Sequence, residues 1–188
     1  MKKHLITTVL MTLVTTVLLG LVYPLLVTGV AQVLFPSKAN GQLVYRGGQA
    51  IGSRIIGQPF TGQRYFHSRP SAAGNGYDAE NSGASNLGPT SRKLVEQVET
   101  RVTAEQSNPH PVPVDLVASS GSGLDPHITP AAAEYQIPRI AKARAIKESD
   151  LRSLVRKHTE SRQFGVLGEP RVNVLELNLD LDRMVPER

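Results

Sequence analysis

The chain begins with a pair of lysines, Lys2 and Lys3, followed by a long stretch without charge. Residues 5–37 contain no acidic or basic side chain, 33 residues in all. A helix rises ~1.5 Å per residue, and about 20 apolar residues suffice to cross the roughly 30 Å hydrocarbon core of a bilayer. The sequence therefore predicts a transmembrane helix over residues 7–27, with helical character that extends to about residue 35.

The main alternative for this stretch is a cleaved secretory signal. It shares the basic start, and Gly29-Val30-Ala31 loosely resembles a small-x-small cleavage site. The apolar core of such a signal usually spans about 7–15 residues, much less than the stretch found here. Its length therefore favours an uncleaved membrane anchor.

The two lysines also predict the orientation of the chain. Basic residues beside a membrane helix tend to stay in the cytoplasm, whereas long domains cross largely regardless of their charge. Residues 1–6 are accordingly predicted to form a short cytoplasmic tail. Residues 38–188 are predicted to form a domain outside the cytoplasmic membrane.

Small side chains recur at every fourth position of the predicted membrane helix, at Thr8, Thr12, Thr16 and Gly20. Small residues allow close approach between helices in lipid, and hydroxyl groups can bond across the contact. Threonine can instead bond a carbonyl of its own preceding turn, so the pattern alone leaves both interpretations open. We expect this ridge to be a helix-packing face.

The composition of the remaining chain narrows the function classes. Without the two N-terminal lysines, 19 of the 21 basic residues remain against 16 acidic ones, a net charge of +3. This small surplus does not call for nucleic-acid binding, and nine aromatic residues without tryptophan provide few stacking platforms. The absence of cysteine excludes disulfides, thiolate metal sites and cysteine nucleophiles.

The sequence of residues 38–188 predicts a mixture of strands and helices. Strands are predicted at 42–45 and 50–56 around Gly47-Gly48, at 64–67, and at 172–181, where leucines alternate with polar residues. One helix is predicted after a cap at Thr90 or Ser91, with an apolar stripe of Leu94, Val95, Val98 and Val102. Further helices are predicted after Thr129 as N-cap with an interruption at Pro138, and over the apolar positions Leu151, Leu154 and Val155. The predicted fold is a single N-terminal transmembrane α-helix followed by an α+β extracytoplasmic domain.

A basic segment lies within these predicted helices. Residues 139–157 carry seven basic side chains against Glu148 and Asp150. Such a segment is usually a solvated helix face, and otherwise it docks on anionic lipid or an acidic partner.

Two loops of the domain share a pattern of Ser-Gly, small residues and Leu-x-Pro before a helix start. They cover residues 82–89 and 120–126. A duplicated unit could produce this likeness, but shared helix-entry chemistry is the simpler explanation because serine, glycine and proline recur at such entries.

The sequence offers little for catalysis or metal binding. Ser122, Asp125 and His127 supply the residue types of a hydrolase triad, yet no G-x-S-x-G elbow is present and a triad is defined by geometry. The five histidines lack metal-ligand spacing. We therefore expect no catalytic residue and no metal ligand, and a membrane-anchored periplasmic hydrolase is kept as the alternative.

Several longer strings resemble the C subunit of Kdp-type potassium-transporting ATPases. They are YPLLVTGVAQVLFP (residues 23–36), YFHSRPSAAGNGYDAENSGASNLGPTS (65–91), PVPVDLVASSGSGLDPHITPAAAEYQIPRIAKAR (111–144) and HTESRQFGVLGEPRVNVLELNLDLDR (158–183). The resemblance covers nearly the whole chain in family order. Ser68 and Ala84 stand where the family usually has glycine.

The resemblance implies a non-catalytic subunit of a bacterial inner-membrane complex that imports potassium at the expense of ATP. Its partners would be a channel-like subunit, a P-type ATPase subunit that binds ATP, and a small single-span subunit. The subunit would have no cofactor of its own, and its roles would be assembly and a chaperone effect on ATP affinity. Loops usually carry recognition on a rigid scaffold, so the expected contact residues are Arg69, Pro70, Tyr77, Asp78, Asn86, Leu87, Ser120, Ser122, Asp125 and His127.

Overall fold

The structure, a computed structural model, describes residues 1–107 and 109–184. It comprises two compact units, Met1–Leu43 and Val44–Arg188. Asn108 and residues 185–188 lie outside the described residues, and with them the last four positions of the domain predicted over 38–188.

The first unit is dominated by one continuous helix, Lys2–Leu34. It consists of α1 (Lys2–Val17), a π-helical turn (Leu18–Val22) and α2 (Tyr23–Leu34). This 33-residue helix is long and apolar enough to cross a membrane, and none of its residues is buried. A short helix, α3 (Pro36–Ala39), follows.

The π-helical turn has a local cause in Pro24. Proline has no backbone N–H and cannot bond the carbonyl four residues earlier, which belongs to Gly20. The helix widens by one residue just before the proline, and the N–H of Tyr23 donates to the carbonyl of Leu18, five residues earlier. The wider turn reduces the rotation from Thr16 to Gly20 and keeps these residues nearer to one face.

A hairpin of β1 (Leu43–Arg46) and β2 (Gln49–Ser53) follows, and all of it except Leu43 belongs to the second unit. Gly47 and Gly48 connect the strands with φ angles of 58° and 83°. Positive φ at both positions suits the right-handed twist of a hairpin and strongly favours glycine. The predicted hairpin is confirmed.

After a long connection, α4 (Arg92–Glu105) begins beyond Ser91 as its N-cap residue. The apolar stripe predicted for this helix is only partly covered, since no residue of α4 is buried. A 3-10 turn (Val114–Leu116) then buries Asp115 and Leu116, and the short strand β3 (His127–Ile128) follows.

Helix α5 (Pro130–Arg144) begins where the sequence predicts, because the Thr129 hydroxyl accepts a hydrogen bond from the N–H of Ala132 at 3.2 Å. The predicted interruption at Pro138 is wrong, since the helix continues to Arg144. Pro138 is exposed whereas Ile137 and Ile140 are fully buried. Burial of the apolar face therefore stabilises the helix across the proline, and water can reach the carbonyl that lacks a donor.

Helix α6 (Glu148–Lys157) confirms the helix predicted over this region and buries Leu151, Leu154 and Val155. The strands β4 (Thr159–Glu160) and β5 (Arg171–Asn173) follow. They form a three-stranded antiparallel sheet in the order β3-β5-β4, in which Val172 lies opposite both Ile128 and Thr159.

The last element, α7 (Val174–Met184), corrects the strand predicted over residues 172–181. Only β5 is extended, and the chain turns into a helix at Val174. Three of the four alternating leucines, Leu175, Leu177 and Leu181, also fit one helical face that includes a buried polar residue, whereas Leu179 is only half-buried. That face comprises Val174, Leu175, Leu177, Asn178 and Leu181, all of them buried.

The hydrophobic core lies between α5, α6, α7 and the three-stranded sheet. Its fully buried members include Phe66, Ile137, Ile140, Leu151, Val172, Leu177 and Leu181. Burial of such apolar surface is the main force that holds the second unit together.

The strand predicted over residues 64–67 is also wrong, and side chains take the place of a neighbouring strand. The amide of Asn178 binds both the N–H and the carbonyl of Phe66, each at 2.9 Å. The amide of Gln136 binds the N–H of His67 at 2.7 Å and its carbonyl at 3.4 Å. Two buried amides thus hold this segment between α5 and α7.

Two arginines of α5 bind the same segment. Arg139 donates to the carbonyls of Gln63 and Tyr65 at 2.8 and 3.0 Å. Arg144, whose side chain is fully buried, donates to the carbonyl of Arg64 and to Asp182, each at 2.7 Å. The interpretation of residues 139–157 as a solvated or docking face therefore fails for these two side chains, which serve the fold.

Asp180 links α6 to α7. Its carboxylate lies 3.0 Å from Lys157 Nζ and 2.9 Å from His158 Nε2. Burial raises the pKa of Asp180, but hydrogen bonds from Lys157 and His158 outweigh burial and lower it to about 2. The carboxylate is therefore ionised at physiological pH.

Candidate functional site

The predicted helix-packing residues lie on the exposed surface of the long helix. Thr8 and Thr12 line a shallow groove of about 460 Å³. The groove also includes residues that the ridge pattern missed, namely His4, Thr7, Met11 and Thr15. Thr16 and Gly20 follow further along the helix, and a side chain added at Gly20 would meet no atom within 4 Å.

The threonines of this helix differ in how their hydroxyls are used. Thr8 donates to the carbonyl of His4 at 2.9 Å, and Thr15 donates to that of Met11 at 2.8 Å. These are the bonds to the preceding turn that make threonine tolerable in lipid. Within the described part of the chain, the hydroxyls of Thr12 and Thr16 donate no such bond, so they are available to a neighbouring helix.

The two Ser-Gly loops of the second unit pack directly against each other. The N–H of Gly83 donates to the carbonyl of Ser122 at 2.8 Å, and the Ser82 hydroxyl donates to the same carbonyl at 3.0 Å. Their likeness in sequence is therefore accompanied by contact in space. The long polar stretch after residue 68 is thereby joined to the loop over residues 119–128.

Gly123 makes this close approach feasible. Its φ is +68°, and a Cβ there would lie 2.6 Å from the carbonyl oxygen of Gly83 and 2.7 Å from the N–H nitrogen of Ala73. Both atoms belong to the backbone of the facing loop. Only glycine combines this conformation with the required space.

Arg69, Asp125 and His127 form a charged cluster beside the loop contact. Arg69 Nη1 donates to Asp125 Oδ2 at 3.1 Å, and His127 Nδ1 lies 3.3 Å from Asp125 Oδ1. Burial raises the pKa of Asp125, but hydrogen bonds from His127 and the charge of Arg69 outweigh it and hold the pKa below its usual range. The cluster borders an open cavity of about 280 Å³ that Asp115, Thr129 and Arg171 also line.

Tyr77 and Asp78 organise the loop that follows Arg69. The Tyr77 hydroxyl donates to the carbonyl of Arg69 at 2.7 Å, and burial raises the pKa of this phenol. The Asp78 carboxylate belongs to a half-buried residue and accepts from the side chain of Asn81 at 2.7 Å and from the N–H of Glu80 at 3.0 Å. The loop is thus ordered by its own hydrogen bonds.

The other predicted contact residues are distributed along the same loops. Ser120 is buried and its hydroxyl accepts from the N–H of Asp125 at 3.4 Å, while Pro70 is half-buried. Asn86 and Leu87 belong to the segment that leads to α4, and no hydrogen bond between described residues joins them to the charged cluster.

The geometry around Ser122 does not form a hydrolase triad. Its hydroxyl accepts from the N–H of Leu124 at 3.1 Å and lies 3.5 Å from the Ser120 hydroxyl. In residues 1–107 and 109–184, no hydrogen bond joins Ser122 to His127. The same residues contain no group of three or more histidine or carboxylate side chains arranged to hold a metal ion.

Several residues that shape this region are not among the predicted site residues. Asp115 is buried and accepts from the N–H of Thr129 at 2.8 Å, which fixes the start of α5. A lone acid in the apolar run VPVDLV was the available signal, because buried carboxylates need partners. Gly83 and Gly123 left no comparable signal, since their role depends on a distant loop.

The chain is similar to known proteins over almost its whole length. The family KdpC, described as K+-transporting ATPase, c chain, matches residues 5–183. A relative from Koribacter versatilis, named potassium-transporting ATPase KdpC subunit, is 68% identical over 99% of this chain and 97% of its own length. A relative of the same name from Acidobacterium capsulatum is 62% identical over 96% of this chain and 98% of its own length. Another, from Rhodospirillum rubrum, is 60% identical over 87% of this chain and 87% of its own length.

The matched residues include both the long apolar helix and the unit that carries the two paired loops. The chain therefore belongs to the KdpC family, the c chain of K+-transporting ATPases.

Proposed function

We propose that the chain is a non-catalytic accessory subunit of a high-affinity, ATP-driven potassium uptake complex. The complex would need it for assembly and stability, and it would raise the ATP affinity of the P-type ATPase subunit. Its other partners would be a channel-like subunit that translocates potassium and a small single-span subunit. ATP would bind to the ATPase subunit, and this chain would have no cofactor of its own.

One observation carries this proposal: the family match extends over residues 5–183 and includes both units of the chain. The relatives share this span and are named as subunits of a potassium-transporting ATPase. The site geometry agrees with a binding role, because the loops form an ordered surface in which Ser122 and His127 are not coupled. The hydrolase alternative has no comparable support.

We also place the chain in the bacterial cytoplasmic membrane, with the tail over residues 1–6 inside and the larger unit outside. The basic pair at Lys2 and Lys3 favours retention of that end in the cytoplasm. A protease added to intact spheroplasts is then expected to cleave the larger unit, whereas sealed inside-out vesicles should protect it. Cleavage only in inside-out vesicles would reverse the orientation, and detergent-opened vesicles provide the control for accessibility.

An effect on ATP affinity then requires long-range coupling. The larger unit would lie on the opposite side of the membrane from the nucleotide, so the signal must pass through the membrane helices. Such coupling is a free energy shared between two sites and is reciprocal. The exposed ridge of Thr8, Thr12, Thr16 and Gly20 is our proposed route, since it is the part of the helix best suited to close packing.

Affinity purification from detergent-solubilised membranes tests the proposal. The tagged chain should bring down a P-type ATPase subunit and a channel-like subunit, whereas the purified chain alone should hydrolyse neither ATP nor model esters. Recovery of the chain without these partners, or hydrolysis by the chain alone, would contradict the proposed function.

The Gly20→Leu variant tests the ridge within the same experiment. The added side chain separates the helices, and a loss of roughly 1–2 kcal/mol of helix packing corresponds to about tenfold weaker association. Recovered ATPase subunit and potassium uptake should fall accordingly. Gly29→Leu is the matched control, because it adds the same side chain to the same helix off the ridge and also meets no atom within 4 Å. Equal assembly of both variants would refute docking through the ridge.

A further inference from the structure

The hairpin of β1 and β2 begins close to the end of the long helix. Gln32, in the last turn of that helix, and Asn40 exchange two amide hydrogen bonds of 3.3 and 3.1 Å. Asn40 also donates to the carbonyl of Pro36 at 2.7 Å. These bonds hold the chain beside the helix end at Asn40, and β1 begins at Leu43. The three residues from Asn40 to Leu43 span only about 10 Å even when fully extended, so the hairpin begins near the surface of a membrane that the helix crosses.

The first strand of the hairpin presents large side chains to solvent. Leu43 is 48% exposed and Tyr45 63%. Because side chains alternate along a strand, these two lie on the same face of β1. Arg46, at the end of the strand, is also exposed. Tyrosine is enriched where a bilayer meets water, since its ring enters the headgroup layer while its hydroxyl stays hydrated. This strand therefore has the side chains of a membrane-surface contact.

The charges around the hairpin favour an anionic surface. All 16 acidic residues of the chain lie at Asp78 or later, so residues 1–77 contain none. Arg54 binds Glu176 at 2.8 Å, whereas Lys38 and Arg46 have no acidic partner among the residues that the structure describes. Unpaired basic side chains directly after a membrane helix are attracted to anionic headgroups.

The position of the hairpin in the chain distinguishes lipid from an acidic protein. An acidic protein surface could also neutralise Arg46, but it would have to lie at the headgroup layer. The bilayer itself is at this position whenever the helix spans it, because the bonds between Gln32 and Asn40 keep the start of the hairpin beside the helix end. Charge and position together therefore favour phospholipid.

We propose that the β1–β2 hairpin binds anionic phospholipid at the membrane surface. Arg46 contacts headgroup phosphates, and Tyr45 and Leu43 enter the boundary between headgroups and acyl chains. Lys38, just after the end of the helix, contacts phosphates in the same way. This inference goes beyond the proposed function and requires only that the long helix crosses the membrane.

Fluorescence quenching by labelled lipid tests the contact on the full chain without its partners. The chain has no cysteine, so Gln49→Cys, an exposed position at the start of β2, provides a single site for a fluorophore. In vesicles of phosphatidylcholine and phosphatidylglycerol, lipids with a quencher near the headgroup should quench the label. In vesicles of phosphatidylcholine alone, quenching should be several-fold weaker. Equal quenching in the two kinds of vesicle would overturn the inference.

The variant Arg46→Gln, made in the labelled chain, measures the contribution of its charge. A basic residue near an anionic surface contributes about 1 kcal/mol, so the ratio of lipid-bound to free hairpin should fall about fivefold. Arg92→Gln is the matched control, because Arg92 is also exposed and has no acidic partner among the described residues, yet it lies at the start of α4. Equal quenching in these two variants would show that Arg46 does not bind lipid.

Tyr45 tests the apolar part of the contact. Since its side chain is exposed, Tyr45→Ser should leave folding unchanged but reduce quenching at high salt, where the contribution of Arg46 is screened. Tyr45→Phe retains the ring and should restore most of the quenching. Protection of the label only in an assembled complex, and equally in both lipid mixtures, would assign the hairpin to a protein partner and overturn the inference. Failure of the chain to co-purify with other subunits would instead contradict the proposed function and leave this measurement unaffected.

Discussion

Replacement of Asn178 with alanine is expected to lower the free energy of unfolding of the Val44–Arg188 unit by about 3–5 kcal/mol. Asn178 is 1% exposed, and its amide binds the N–H and the carbonyl of the fully buried Phe66. Alanine would leave both backbone groups without partners, and each unpaired group costs about 1–3 kcal/mol. The vacated volume adds a cavity term.

Pulse proteolysis in urea can measure this loss on the full chain in detergent, because the protease cuts only the unfolded unit. Asn81→Ala is the control: it removes the same amide from an exposed loop, where the side chain donates to Asp78 at 2.7 Å and to no other described residue. A change within about 0.5 kcal/mol is expected there. If both variants shift the urea midpoint equally, the buried amides do not hold the segment over residues 64–67.

Local signals in the sequence were sufficient for the elements that depend on neighbouring residues. The apolar length of the first helix, Gly47-Gly48 in the hairpin and Thr129 at the start of α5 each act within a few residues. The chemistry of such signals is local. The architecture of one membrane-length helix followed by an α+β unit could therefore be predicted before the structure.

The two wrong strands share one physical cause. Four alternating leucines from 175 to 181 fit a strand, but three of them also fit one helical face, in which Asn178 is buried with a partner. That partner, Phe66, lies 112 residues away. The segment over residues 64–67 likewise has its backbone satisfied by side chains of α5 and α7 instead of by another strand. No local pattern encodes such long-range pairing.

The candidate site divides in the same way. The chemistry of Asp125 and His127 was visible in the sequence, and the family resemblance indicated the loops. Their arrangement was not visible, because the contact between Gly83 and Ser122 joins two loops separated by about forty residues.

Replacement of Gly123 with alanine is expected to separate the two Ser-Gly loops and to destabilise the unit by about 2–4 kcal/mol. A left-handed backbone costs a residue with a Cβ about 1–2 kcal/mol. The new Cβ would also lie within 2.7 Å of backbone atoms of Gly83 and Ala73. Since both obstacles are backbone, a side-chain rotation cannot relieve them, and the bond from Gly83 to Ser122 must lengthen or break.

Gly121→Ala separates this effect from a general loss of flexibility. Gly121 belongs to the same loop, yet an added Cβ meets no atom within 4 Å and its φ lies outside the left-handed region. Hydrogen exchange at the Gly83 amide and protease cleavage within residues 69–89 should increase in the Gly123→Ala protein and remain near wild type in the control.

If the loops form the partner surface, recovery of the ATPase and channel-like subunits falls with the same variant, because a recognition surface made of two loops requires both to keep their positions. Exchange at Gly83 that stays slow in Gly123→Ala would contradict the steric argument. Fast exchange with undiminished recovery would leave the loop contact as a structural feature and assign recognition to another part of the chain, such as the helix ridge.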